Sequence, residues 1–243
     1  MRALVSVFDK KGSVELCQAL VKCGADLVST GGTFQALSQA GLDVKQISDL
    51  TGFPEILDGR VKTLHPLIYG GILARRDHLN HMDQIDSHSI GLIDVVVVNL
   101  YPFEATITRP AVTSEEALEN IDIGGPSLLR AAAKNHPFVT VLVDPNDYSW
   151  VADKLSAGGL TLDERRGLAS KAFQHVALYD TVIAQWLKGD SGYFTDEFTL
   201  GLRKVSALRY GENPHQIAAL YADVPGGGGV VGATQLHGKE LSF

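Results

Sequence analysis

Leu92-Ile93-Asp94-Val95-Val96-Val97-Val98-Asn99-Leu100 is an almost unbroken apolar run. It is too rich in β-branched residues for a comfortable helix and too continuous for a strand with one wet face. It reads as a central parallel strand covered on both faces. Upstream, residues 2 to 8 form a second apolar, β-rich run, and Asp26–Ser29 and Val44–Ser48 are shorter strands. Downstream, Phe138–Val143 is another. Between them, Ser13 is expected to cap a helix that runs through Cys23 and is stopped by Gly24. Phe34–Gln39 is helical until Gly41, and Asp144-Pro145-Asn146-Asp147 opens a further helix. Strands alternating with helices predict a doubly wound, mostly parallel α/β sheet with helices on both faces. Such sheets take their ligands at the carboxyl ends of the strands.

Polar groups gather there. Thr30-Gly31-Gly32-Thr33 lies between a strand and a helix. Glycines let a backbone approach an oxyanion, successive N–H groups form a nest, and a helix N-terminus adds partial positive charge. Ser6 and Lys10, at the end of the first strand, are placed to complete a phosphate site. The turn is neither Gly-x-x-x-x-Gly-Lys-Ser/Thr nor Gly-x-Gly-x-x-Gly, so a nucleoside triphosphate loop and a dinucleotide fingerprint are both absent. Asn99-Leu100-Tyr101-Pro102 ends the central run, where Tyr101 is a site residue or a buried aromatic. Arg60, Lys62 and Thr63 alternate with Val61 and Leu64, so an extended segment would turn Arg60 and Lys62 to one side, as a site or as a solvated basic edge. Asp122 precedes Gly124-Gly125-Pro126, which should open a helix with the proline near its first turn, and Lys134 falls near that helix's C-terminus. Asp122 could be a helix cap and Lys134 a partner of the helix dipole. Their joint occurrence with the strand-end groups points to an anionic small molecule handled by proton transfer.

Other classes are excluded. At 243 residues and 45% hydrophobic, the chain can bury a sizeable core. A formal net charge of -7 argues against a general nucleic-acid or membrane-surface binder. No apolar run approaches the roughly 20 residues needed to span a bilayer, and the N-terminal run is too short for a secretory signal. Cys17 and Cys23 sit six apart in a helix, about 600° around its axis, on different faces. A disulfide or metal role is not expected, and a reduced, cytoplasmic setting fits. His78 and His81 share a helical face without a third ligand at metal spacing, so they are read as solvent-facing.

From Thr161 the pattern changes. Thr161-Leu162-Asp163-Glu164 is a capping box, and Leu168, Ala172, Val176, Tyr179, Ile183 and Trp186 then recur at helical steps. One long amphipathic helix is expected, ended by Gly189-Asp190-Ser191-Gly192. A linker with strand character follows over 191–205, a new unit starts near 206, and Gly226–Gly229 is a flexible loop. Roughly 40 residues are too few for an independent core, so 206–243 reads as the incomplete start of a second domain.

The segments Gly59-Arg-Val-Lys-Thr-Leu-His-Pro66, Asn99-Leu-Tyr-Pro-Phe103, Ile121-Asp-Ile-Gly-Gly-Pro126, Arg130-Ala-Ala-Ala-Lys-Asn-His136 and Leu208-Arg-Tyr-Gly-Glu-Asn-Pro-His-Gln216 occur in that order. In them the chain resembles the bifunctional purine biosynthesis family, IMP cyclohydrolase fused to AICAR transformylase. The resemblance covers essentially the whole sequence. It implies a methylglyoxal-synthase-like domain over 1–190 that closes 5-formamidoimidazole-4-carboxamide ribotide (FAICAR) to inosine monophosphate (IMP) with loss of water. Family analogy has the phosphate held by Ser6, Lys10, Thr30, Gly31, Gly32 and Thr33, with Arg60 and Thr63 beside it. Lys62, Tyr101, Asp122 and Lys134 would surround the reacting base, and Asn99, Gly124 and Gly125 would lend polar or backbone contacts.

A carboxamide nitrogen is a poor nucleophile, so a base near its proton and donors for the formyl oxygen are the groups such chemistry needs. The expected roles are Asp122 as base, Lys62 as cationic stabiliser and proton donor, and Tyr101 and Lys134 as positioning and relay groups. No metal or cofactor is expected for ring closure. The resemblance makes 10-formyltetrahydrofolate the cofactor of the second activity only. Arg209 and Tyr210 resemble part of that second site, whose main catalytic segment lies beyond Phe243 in the family, so formyl transfer is not expected of this chain. Homodimerisation of the full-length protein, and a purine ribotide rather than nucleic acid or membrane as partner, are implied in the same way. Lys11 and Tyr69 depart from the family, where threonine and histidine are usual. The competing reading is a regulatory ligand-binding module, a use of the same fold in carbamoyl phosphate synthetases. Methylglyoxal synthase is a remoter one, because the acidic signature beside that family's phosphate loop is missing.

Overall fold

The computed structural model describes residues 1–189, 194–224, 229 and 231–239. In chain order the elements begin β1 (Arg2–Val7), α1 (Ser13–Lys22), β2 (Asp26–Ser29), α2 (Gly31–Gln39), β3 (Val44–Gln46) and α3 (Ile47–Thr51). Next come α4 (Pro66–Leu73), α5 (Leu79–Ser87), β4 (Val95–Asn99), α6 (Phe103–Ile107), α7 (Ser114–Glu119) and α8 (Gly124–Lys134). The last are β5 (Thr140–Leu142), α9 (Tyr148–Ser156), α10 (Leu162–Lys188), β6 (Leu202–Leu208) and β7 (Ala218–Asp223). Two compact units result, one of Met1–Pro102 with Ile121–Val176, the other of Phe103–Asn120 with the residues from Ala177 onward.

The first unit holds a five-stranded sheet in the order β3-β2-β1-β4-β5, with every pairing parallel. The central run forms β4. Successive strand side chains point to opposite faces, and Val95, Val96, Val97 and Val98 are all buried, so both faces are covered. β1 is equally enclosed at Ala3, Leu4 and Val5. The run joins its neighbours from Asp94 onward, whose backbone N–H donates to the Arg2 carbonyl at 2.9 Å and whose carbonyl accepts from the Thr140 N–H at 2.8 Å. The Asp94 carboxylate accepts from the Arg2 backbone N–H at 2.6 Å and from the Arg76 guanidinium at 2.6 Å. Sequence order runs outward in both directions from β1 and β4, so the switch point of this doubly wound sheet lies between their carboxyl ends. Among the helices, α1 packs on α9 and α4 on α8, with α8 also against β4 and β5.

Several local expectations are corrected. Gly12, at φ 70°, is the N-cap of α1, and the buried Ser13 hydroxyl donates back to the Lys10 carbonyl at 2.7 Å. Residues 47–51 form α3 instead of extending β3, because Gln46 and Asp49 close a reciprocal capping box. α2 begins at Gly31, three residues early, so Thr30–Thr33 is a helix N-cap and first turn. Arg60 is in a helical conformation after a short 3-10 turn, so Arg60–Thr63 is not an extended segment with its two cations aligned.

In the second unit, Phe103 packs edge-to-face on Trp186 at 5.6 Å, and the Tyr179 hydroxyl donates to the Asn120 carbonyl at 3.2 Å. Strand β6 pairs antiparallel with β7 and begins inside the expected linker. Glu104 accepts both guanidinium nitrogens of Arg203, at 2.8 and 3.1 Å. The Thr161–Glu164 capping box forms as read, with the Thr161 N–H to Glu164 Oε2 at 2.7 Å and the Glu164 N–H to Thr161 Oγ1 at 3.2 Å. α10 runs unbroken past Val176, where the two units divide. Gly189 follows it at φ 56°, while 190–193 and 225–228, which include all of the expected glycine loop but Gly229, lie outside the described residues.

Candidate active site

At the carboxyl ends of β1 and β2, the Thr30 hydroxyl hydrogen-bonds the Ser6 hydroxyl at 2.9 Å. Gly31 takes φ 42°, a conformation costly for residues with a Cβ, as it enters the first turn of α2. First-turn amides of a helix have no acceptor within it, so the N–H groups of Gly31 and Gly32 face outward for an anion. The Lys10 ammonium sits across from them, with Nζ 3.9 Å from where a side chain on Gly32 would begin. It donates to the Phe8 carbonyl at 2.9 Å and to that of Val7 at 3.3 Å, which pins it over the turn. Thr33 points the other way. Its buried hydroxyl accepts from the Val7 N–H at 3.1 Å and donates to the Val7 carbonyl at 2.9 Å, latching α2 to the end of β1. Asn99 is likewise committed to the scaffold. Its Oδ1 accepts from the N–H groups of Phe8 and Asp9 at 2.6 and 3.0 Å, and its Nδ2 donates to the Asp9 carbonyl at 2.8 Å. Asn99 therefore shapes the loop that carries Lys10.

Across the switch point, Tyr101 meets Phe8 edge-to-face at 5.6 Å. Both rings are open to solvent, 37% and 48% exposed, although aromatics at strand ends would otherwise be covered. The sequence pattern places Phe8 at the end of the first apolar run and gives it no site role. Its only signal is an aromatic in an otherwise polar strand exit, Phe8-Asp9-Lys10-Lys11. Phe8, Asp9, Lys10, Asn99 and Leu100 also line a cleft of about 680 Å³ that extends to Asp144, Lys171 and His175. Lys171 is held there by Asp144 at 2.6 Å and Asp147 at 2.8 Å.

The acid end is built by α8. Asp122 Oδ1 accepts the Gly125 N–H at 2.8 Å, so the carboxylate folds back over the first helical turn. That turn requires its glycines. A Cβ on Gly125 would lie 2.5 Å from Asp122 Oδ2 and 2.7 Å from Leu100 Cδ2, and one on Gly124 would lie 2.8 Å from the buried Thr63 hydroxyl. Burial pushes the Asp122 carboxyl above the ordinary carboxylate range, outweighing the Gly125 N–H, the Lys62 charge and the Tyr101 and Gly124 N–H groups. Asp122 is therefore both a partner of the first helical turn and a half-buried acid near a cation, a combination found at proton-transfer sites.

Tyr69 adds a phenol at the same place. Burial drives its pKa up to about 12, with Ser127 pulling against that and the Asp122 charge adding to it. Arg60 is exposed, while Lys62 is half-buried. Lys134 does not join the cluster within this chain. It closes α8 as an exposed residue, and ten residues at 1.5 Å each put it about 15 Å along the axis from Gly124. The neighbouring Asn135 faces the far end of α4, donating to the carbonyls of Ile72 at 2.7 Å and Ala74 at 3.0 Å.

Away from the site, the Cys17 and Cys23 thiols are free, and burial lifts the Cys17 thiol to about 12. The rings of His78 and His81 lie 4.5 Å apart, and among the described residues no group of three or more His, Cys, Asp or Glu could hold a metal. No described helix is long and apolar enough to cross a membrane. In the second unit, the Arg209 guanidinium lies over the Tyr210 ring, 5.6 Å from its centroid.

The parallel sheet, with a glycine-opened helix turn on one side of its switch point and a half-buried acid on the other, belongs to an MGS-like domain, whose family model matches residues 12–127. The model of the AICARFT/IMPCHase bienzyme matches 132–243. The chain belongs to the family of bifunctional purine biosynthesis proteins. It is 57% identical over 245 aligned residues to the bifunctional purine biosynthesis protein PurH of Chloroflexus aurantiacus, an alignment that covers 100% of this chain and 46% of that protein. The PurH of Listeria welshimeri is 54% identical, with 100% and 48% covered. The chain thus spans about half the length of the curated relatives it matches. The crystal structure of ForH matches with a TM-score of 0.69 at 38% identity, covering 76% of this chain and 97% of ForH.

Proposed function

We propose that this chain is an IMP cyclohydrolase, closing the second purine ring of FAICAR to IMP with loss of water. The observation that carries the proposal is the half-buried Asp122, held by the first turn of α8 beside Lys62 and across the switch point from an outward-facing amide turn with its own lysine. A ribotide phosphate fits the Ser6, Lys10 and Gly31–Gly32 side, with the base reaching Tyr101, Lys62 and Asp122. Arg60 and the Thr63–Gly124 corner flank the path between them.

In the reaction, the carboxamide nitrogen attacks the formyl carbon and gives up a proton to Asp122. Burial raises the proton affinity of that carboxylate, which suits it to a weakly acidic amide proton. Lys62 stabilises the charge that develops on the formyl oxygen and donates a first proton to it. The hydroxyl so formed leaves as water with a second proton, the one Asp122 took, while the formamide nitrogen gives its hydrogen to the Lys62 amine as the C=N bond forms. Both reacting groups sit on one molecule, so holding them in the closing geometry supplies much of the acceleration. Lys134 is given no step within one chain. Residues to about 190 carry this chemistry. Residues 206–243, with Arg209 and Tyr210, belong to the formyl-transfer part of the family's proteins, for which 10-formyltetrahydrofolate is the donor.

The test is IMP formation from FAICAR, followed by absorbance with and without a chelator. Turnover that ignores the chelator is expected. Ribotide binding without any turnover would favour the regulatory-module reading, and activity lost to the chelator and restored by zinc would overturn the mechanism.

A further inference from the structure

Tyr69 has no place in the chemistry described above, yet its hydroxyl is fully buried without a well-formed hydrogen bond. A buried hydroxyl left unpaired costs free energy that a phenylalanine at the same position would avoid. Its surroundings explain why it is there. α4 and α8 lie side by side, with Thr63 against Gly124 at one end and Asn135 against Ile72 and Ala74 at the other. Tyr69, one turn into α4, therefore faces Ser127, one turn into α8, in the seam behind Asp122. Asp122 is the charged group that acts on the phenol, and Lys62 acts in turn on Asp122.

Resting on the cyclohydrolase reading, we propose that Tyr69 is a positioning residue that accepts the hydrogen bond of Asp122 once Asp122 has taken the substrate's proton. An ionised carboxylate is only an acceptor, whereas the protonated acid carries an O–H that the acceptor side of a neighbouring hydroxyl can take. The Tyr69 hydroxyl can accept that bond while donating its own hydrogen to the Ser127 hydroxyl. It stays neutral throughout the working pH range, because burial holds its pKa near 12. The proton moves from the carboxamide nitrogen to an Asp122 oxygen and no further in this step, with Tyr69 stabilising the product of the transfer.

The experiment compares wild type, Tyr69→Phe and Tyr69→His in the FAICAR-to-IMP assay over a pH series, with melting temperatures alongside. Tyr69→Phe keeps the ring and removes only the oxygen. It should lower kcat about tenfold with KM unchanged, the effect of one lost hydrogen bond. The acid limb of its kcat profile should move to lower pH, because the protonated form of Asp122 loses its acceptor, and its melting temperature should not fall. Tyr69→His restores a group that can both accept and donate, and should recover most of the lost kcat. Unchanged kcat and an unmoved acid limb in a folded Tyr69→Phe would overturn the proposal, as would a rise in KM alone. Absence of IMP formation by wild type would instead overturn the cyclohydrolase reading on which it rests.

Discussion

The two halves of the site are made of different material. Around Thr30–Thr33 the groups proposed to face the ligand are backbone amides and the pinned Lys10 cation, while the side chains Thr33 and Asn99 are spent holding β1, α2 and the Phe8–Lys10 loop together. Around Asp122 the backbone is the support and the side chain is the working part. The Gly125 amide and the absence of any Cβ on Gly124 and Gly125 hold a carboxylate partly out of water, and that desolvation raises its proton affinity. An open, backbone-built half suits binding. A partly buried, side-chain-built half suits proton transfer.

Substitutions should therefore separate kcat from KM according to the half they touch. The largest effect is expected from Asp122→Asn, which keeps size and still offers an oxygen to the Gly125 amide. It should cut kcat by about 10²-fold or more with KM little changed. Removing a partly buried charge should also leave the melting temperature equal or higher. Near-wild-type turnover with a much lower melting temperature would mean that Asp122 is only a helix cap. Lys10→Ala should act in the opposite sense, raising KM by roughly 10- to 100-fold with kcat nearly intact, as steady-state kinetics would register.

Thr33→Val should leave kcat alone and destabilise the fold by about 1–3 kcal/mol in denaturant titration, because it orphans the Val7 amide. A KM rise without loss of stability would put the Thr33 hydroxyl on the ligand after all. The smallest effect belongs to Glu164, far from either half. Lys154 and the two Thr161 donors pull its pKa down to about 2, below its unfolded value. The stability it adds is present above the ordinary glutamate range and is lost as pH falls toward 2. Glu164→Gln should therefore weaken the protein at neutral pH, with a difference from wild type that vanishes near pH 2 in acid titration of the fold.

Much of this was legible in the sequence. The Leu92–Leu100 run could only be a doubly covered strand, and the Thr161–Glu164 box was local chemistry that needed no tertiary context. The glycine pair before Pro126 announced both a helix start and a close approach. Side-chain direction was harder to read, because whether Thr33 faces a ligand or Val7 depends on where α2 begins, and that shifted by three residues. An extended segment would align Arg60 with Lys62, whereas Arg60 is helical as it leaves the 3-10 turn over 57–59. Lys134 was grouped with Asp122 by resemblance, although the same sequence put a helix of about 15 Å between its ends. Phe8 and Tyr69 carried no motif of their own. Their positions at the strand exit and in the α4–α8 seam emerge only once the sheet order and helix pairing are fixed.

The most direct measurement is the pH dependence of kcat for IMP formation in wild type and Asp122→Asn. Burial raises the folded pKa of Asp122, so the ionised base prevails only above a pH higher than the ordinary carboxylate range, and kcat should fall as pH drops through that point. Wild type should show this acid limb, and Asp122→Asn should retain only a low, flat rate across the same interval. An acid limb that persists unchanged in Asp122→Asn would contradict the assignment of Asp122 as the base.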